Sequence, residues 1–150
     1  MKSPKEITKE GNELIAKFLG WFKEEGHSDT WYEIIGYAKV VAYSEYKDQF
    51  SELPFHKDWN YLMMAVNKIE KTNRVDCTEY YPYCVTMWKD GCTISDGNNG
   101  NKIVHLFSGT TKHDAVWKAV TEFIKWYNDQ TLSNNHLTKQ QNDTEVRSKI

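Results

Sequence analysis

The chain has 150 residues, of which 39% are hydrophobic and 27% charged, with a formal net charge of −2. That is the size of one domain with one core. The charge excludes a long-range field that would gather nucleic-acid phosphates or an anionic membrane surface, and no apolar run approaches the roughly 18 residues of a membrane span.

In chain order, Ser3-Pro4 opens the first helix, because proline suits the first helical turn. Ile7, Leu14, Ile15, Phe18 and Leu19 form its apolar stripe and Gly20 its stop, while Gly11 weakens its middle by about 1 kcal/mol. Trp21-Phe22-Lys23 and Trp31-Tyr32-Glu33 flank a polar turn at Gly26 and are expected to pair as a hairpin. In 36–52, Val40, Val41 and Tyr43 suit a strand, and Tyr46 to Phe50 read as a loop or helical turn. The second helix follows Pro54, with Trp59, Leu62, Met63, Val66 and Ile69 on one face. Three strands are predicted next: Arg74 to Tyr80, Cys84 to Lys89 with an extension through Thr93 and Ile94, and Lys102 to Phe107. Asp90-Gly91 and Asp96-Gly97-Asn98-Asn99-Gly100 are the turns between them, since Asn and Gly accept left-handed angles cheaply.

The last helix begins near Thr110 or Thr111, with Val116, Ala119, Val120, Phe123, Ile124 and Tyr127 as its core stripe. From Thr131 onward the only apolar residues are Leu132, Leu137, Val146 and Ile150. Burying them at roughly 2 kcal/mol each does not offset about 1–2 kcal/mol of backbone ordering per residue. The expectation is an α+β domain over 1–130, with an antiparallel sheet of three to five strands against two or three helices, and a flexible tail over 131–150.

No catalytic motif emerges. The cysteines, Cys77, Cys84 and Cys92, lack the short paired spacing of a zinc site, and strand alternation accounts for them as small buried hydrophobes. His56 reads as a local hydrogen-bonding residue at the start of the second helix. Gly97-Asn98-Asn99-Gly100 lacks the lysine of a phosphate loop and precedes a strand. No serine elbow or carboxylate-pair motif is present. The expectation is a non-enzyme with no metal or cofactor. Aromatic residues, at 14%, are the surplus. Tyr37, Tyr43, Tyr46, Tyr80, Tyr81 and Tyr83 lie in polar or turn-rich surroundings, where tyrosine serves as a binding anchor. Tyr80, Tyr81 and Tyr83, with Tyr43 and Tyr46, are therefore the candidate partner-binding residues, against the alternative of packing at the edge of an aromatic core.

Two stretches, Leu53-Pro54-Phe55-His56-Lys57-Asp58-Trp59-Asn60-Tyr61-Leu62-Met63 and Ala119-Val120-Thr121-Glu122-Phe123-Ile124-Lys125-Trp126-Tyr127-Asn128, resemble segments of small proteins of phages and prophages of Bacteroidota. The resemblance brings no catalytic residues. It implies an accessory role in the host cytoplasm: binding and inhibiting a host defence effector, such as a CRISPR nuclease or its guide complex, as anti-CRISPR inhibitors do. The competing expectations are an RNA- or DNA-binding accessory protein, with aromatics stacking on bases, and capture of a small molecule in an aromatic pocket.

Overall fold

The computed structural model describes residues 1–45, 52–73, 82–97, 100–107 and 111–148. Helix α1, Pro4–Phe18, starts from a reciprocal cap: the Glu6 amide donates to Ser3 Oγ, and the Ser3 amide donates to Glu6 Oε2 at 2.7 Å. The Ser3 amide, with the Ser3 hydroxyl that also donates to Oε2 at 2.8 Å, holds the Glu6 carboxyl below the usual glutamate range. The helix closes at Gly20, whose φ of 86° only glycine adopts without strain. Ile15 and Ala16 are fully buried, whereas Ile7, expected on the stripe, is exposed.

Strands β1, Thr30–Ile35, and β2, Ala38–Ser44, form an antiparallel hairpin. Its two-residue loop has Gly36 at φ 63° and no positive φ at Tyr37, the pattern of a type II′ turn. The expected pairing of Trp21-Phe22 with Trp31-Tyr32 is reduced to one bridge, in which the Phe22 and Tyr32 amides each donate to the other's carbonyl. The hairpin partner of β1 is β2.

Helix α2, Trp59–Lys71, is capped by Asp58, whose side chain accepts from the Asn60 and Tyr61 amides. Leu62, Ala65, Val66 and Ile69 are buried, while Trp59 at the first turn is 38% exposed. The meander β3, Tyr83–Met87, β4, Gly91–Asp96, and β5, Lys102–Phe107, follows in that spatial order. Thr93 and Ile94 belong to β4, beyond the turn at Lys89-Asp90, rather than extending β3. The strand expected at Arg74 to Tyr80 lies outside the described residues. Val85, Ile94 and Val104 stand in register across the sheet. Helix α3, Lys112–Ser148, lies against β4 and β5, and α2 against β3. The expected α+β class holds, but the five described strands divide into a two-stranded and a three-stranded sheet. Their chain order explains the division: β2 pairs with its immediate neighbour, and α2 intervenes before the meander begins.

Aromatic rings fill the core. Trp21, Phe55, Tyr43 and Tyr61 meet mostly edge to face, with centroids 5.4 to 6.5 Å apart. Tyr83, Phe123, Trp126 and Tyr127 form a second group between the meander and α3. Residues 131–148, expected as a flexible tail, continue α3 as helix with Leu132, Leu137 and Val146 exposed. Extending a helix already anchored by Val116, Val120, Phe123 and Ile124 needs no new nucleus, and each added residue forms a backbone bond without burying its side chain.

Gly11 marks the crossing of α1 and α3. A Cβ at this position would lie 2.8 Å from Trp117 Cη2 and 3.2 Å from Thr121 Cγ2, and closer still to Trp117 Cζ2. By propensity, Gly11→Ala should stabilise the helix by about 1 kcal/mol. The overlap with a buried indole should cost about 1–3 kcal/mol and reverse the sign. Urea unfolding is expected to show a lowered midpoint; a raised one would mean that α1 and α3 do not approach this closely.

Candidate functional site

The candidate tyrosines separate by position. Tyr43 is 1% exposed and Tyr83 3% exposed, each inside an aromatic group described above. Tyr43 also donates its hydroxyl hydrogen to the Glu52 carbonyl at 2.8 Å. Neither side chain presents a face to a partner, which corrects the expectation of exposed anchors. Both rings turn inward to the core. Tyr46, Tyr80 and Tyr81 lie outside the described residues.

The exposed apolar surface is elsewhere. The β1–β2 hairpin is buried at its base, at Trp31 and Tyr43, and exposed at the residues flanking the turn. Ile34 is 58% exposed, Ile35 61%, Val41 52%, and Tyr37 at the tip is fully exposed. Lys39, one pair from the turn, lies over the Tyr32 ring at 4.9 Å and pairs with Glu24, so this lysine is already neutralised. The hydrogen bond to Glu24 is the main reason its pKa is raised. The hairpin is thus a structured arm whose end carries exposed apolar side chains.

A buried polar cluster joins α1, the 52–58 turn and α3. Asn12, 2% exposed, accepts a hydrogen bond from Trp117 Nε1 at 2.9 Å through Oδ1. Its Nδ2 donates to the Leu53 carbonyl at 2.7 Å and to His56 Nδ1 at 2.7 Å. The orientation of the amide is chemically fixed, because an indole N–H only donates and a carbonyl only accepts. His56 Nδ1 must then be the acceptor, and the proton of the neutral ring sits on Nε2, 3.6 Å from Glu52 Oε1. Burial is the main influence holding the His56 pKa below 6.5; Lys57 and His113 act in the same direction, and Glu52 and a hydrogen bond to the Leu53 backbone oppose them. The hydrogen bond from Lys57 keeps Glu52 below the usual carboxylate range. Beside this cluster lies a cavity of about 260 Å3, lined in part by Lys5, Lys9, Asn12, Trp31, Glu52 and Leu53. His113 Nε2 donates to the Phe55 carbonyl at 3.0 Å, a second tie between α3 and the same turn.

The cluster does not resemble a catalytic constellation, because Asn12 occupies one nitrogen of His56 and the other faces Glu52. The described thiols are separated: Cys84 pairs in register with Ser95, three positions from Cys92, so the two face opposite sides of the sheet. Burial pushes the Cys92 thiol up to about 11, which keeps it protonated. Among the described residues, no three His, Cys, Asp or Glu side chains are grouped to hold a metal ion. His105 instead bonds Thr93 Oγ1 at 2.7 Å and meets the Trp88 ring edge to face.

Sequence reasoning missed both features. The signal for the arm was Ile34-Ile35-Gly36-Tyr37, a glycine turn between β-branched residues. No local signal marked Asn12, whose indole partner lies 105 residues away. No family model matches the chain, and neither does any curated protein or solved structure.

Proposed function

We propose that the chain is a non-enzymatic binding protein that docks on a protein partner through the β1–β2 arm. The supporting observation is the cluster of exposed apolar side chains, Ile34, Ile35, Tyr37 and Val41, on a hairpin whose base is fixed by Trp31 and Tyr43. A ladder already formed loses little conformational entropy on docking, so more of the apolar burial is expressed as affinity. Tyrosine and isoleucine at a protruding tip offer contact area without a net charge to desolvate. The pairing of Lys39 with Glu24 and the net charge of −2 favour a protein over a phosphate backbone.

The resemblance of 53–63 and 119–128 to phage proteins makes a host defence effector, such as a CRISPR nuclease or its guide complex, the partner to test first. A photo-crosslinking residue at Tyr37, with a control at exposed Gln140 on α3, tests the docking surface in host lysate. The expected result is a discrete adduct from position 37 that is absent from position 140. Equal adducts from both positions would count against the arm. A plaque assay without protection from the effector would count against this choice of partner.

A further inference from the structure

We propose that Asn12 and His56 form a pH-sensitive latch, which holds α1 against the 52–58 turn while His56 is neutral and releases it when the ring is protonated. The geometry makes the sign unambiguous. Asn12 Nδ2 has two hydrogens, one directed to the Leu53 carbonyl and one to His56 Nδ1. The amide cannot turn over to offer Oδ1 to a protonated ring, because Oδ1 is held by Trp117 Nε1 and a rotated NH2 would face that indole hydrogen. Protonation at Nδ1 therefore sets two donors against each other at a separation of 2.7 Å. The Leu53 carbonyl is the acceptor within reach of the new ring proton, so His56 competes there with Asn12 and the two donors must draw apart.

The charged groups facing the ring come from three places. Glu52, 3.6 Å from Nε2, favours the proton; Lys57 on the same turn and His113 on α3 disfavour it. The Lys57 hydrogen bond holds Glu52 below the usual carboxylate range, and Lys5 on α1 acts in the same direction. His113 is the internal contrast. It donates to the Phe55 carbonyl through Nε2, so a proton added at Nδ1 leaves that bond intact. Loss of the Asn12–His56 bond therefore leaves the His113 tie to the same turn in place. Asn12, Leu53 and Glu52 also line the cavity of about 260 Å3, so release of the latch reshapes that cavity.

The native ring takes its proton less readily than an unfolded histidine, so the latch's contribution is complete above pH 6.5 and is lost as pH falls from there through the native value. One proton is involved, so the open population rises by at most about tenfold per pH unit. The test is nuclear magnetic resonance of the full chain with 15N-labelled histidine and tryptophan. The neutral His56 ring is expected to carry its proton on Nε2, and the Trp117 indole signal is expected to move with pH at the His56 midpoint, below 6.5. His56→Asn, which keeps an acceptor near the Nδ1 position, should abolish the Trp117 response. Asn12→Asp offers a carboxylate to Nδ1 and should move the midpoint above 6.5. A neutral ring protonated at Nδ1 would overturn the latch. So would a Trp117 signal that ignores His56 titration, or an Asn12→Asp midpoint still below that of the original protein. The tautomer and the shared midpoint are read on the unsubstituted protein, so they decide the matter even if a variant fails to fold.

Discussion

Replacing Asn12 by alanine is expected to lower stability by about 3 kcal/mol. The substitution removes one acceptor and two donated hydrogens at a site that is 2% exposed. Trp117 Nε1 and the Leu53 carbonyl are left without their partner in low dielectric, each at a cost of about 1–3 kcal/mol. His56 is closer to solvent and recovers more by hydration, so it adds less. The total falls below the simple sum because α1 relaxes away from α3 once the link is gone. Urea unfolding followed by tryptophan fluorescence measures the change. A loss under about 1 kcal/mol would mean that water replaces the amide, and that the cluster is not dry.

The helices were legible because their signals are local. Ser3 with Glu6 and Asp58 before Trp59 each satisfy amides within three residues, and the 3.6-residue spacing of Leu62, Val66 and Ile69 is read directly from the chain. The meander was legible in part: both of its turns are read from the chain, but Thr93 and Ile94, expected as an extension of β3, form β4 beyond the turn. The hairpin was only half visible, because Ile34-Ile35 and Val40-Val41 come as adjacent pairs and break the period of two. An arm exposed on both faces has no buried side to impose alternation. The extension of α3 was misread for a different physical reason. Burial alone does not offset the ordering entropy of 131–148, but a growing helix also adds a backbone bond at each step.

The site was less legible than the fold. Tyr43 and Tyr83 sit in polar stretches of sequence, yet a tyrosine ring turns inward whenever its hydroxyl finds a partner or the strand faces the core, and Tyr43 reaches the Glu52 carbonyl. Asn12 reads as one more polar residue on a helix. Its burial is decided by Trp117 on a helix at the other end of the chain, and no pattern within α1 contains that information. Gly11 beside it looked like a simple weakness of the helix, whereas the close approach of the same indole requires it.

The central claim is that binding resides in the arm and that stability does not. Ile34→Lys combined with Ile35→Lys alters two side chains that are 58% and 61% exposed, so the thermal midpoint should be unchanged within about 2 °C. The two faces of the arm each gain a charge at the apolar tip, which a docked partner would have to desolvate. Losing anchors of hot-spot strength, about 2 kcal/mol or more, weakens binding by at least roughly thirtyfold. The deciding measurement is the dissociation constant of the double variant for the partner captured from Tyr37, taken beside its thermal midpoint. The account predicts an unchanged midpoint with affinity reduced at least about thirtyfold; unchanged affinity in a variant that remains folded would contradict it.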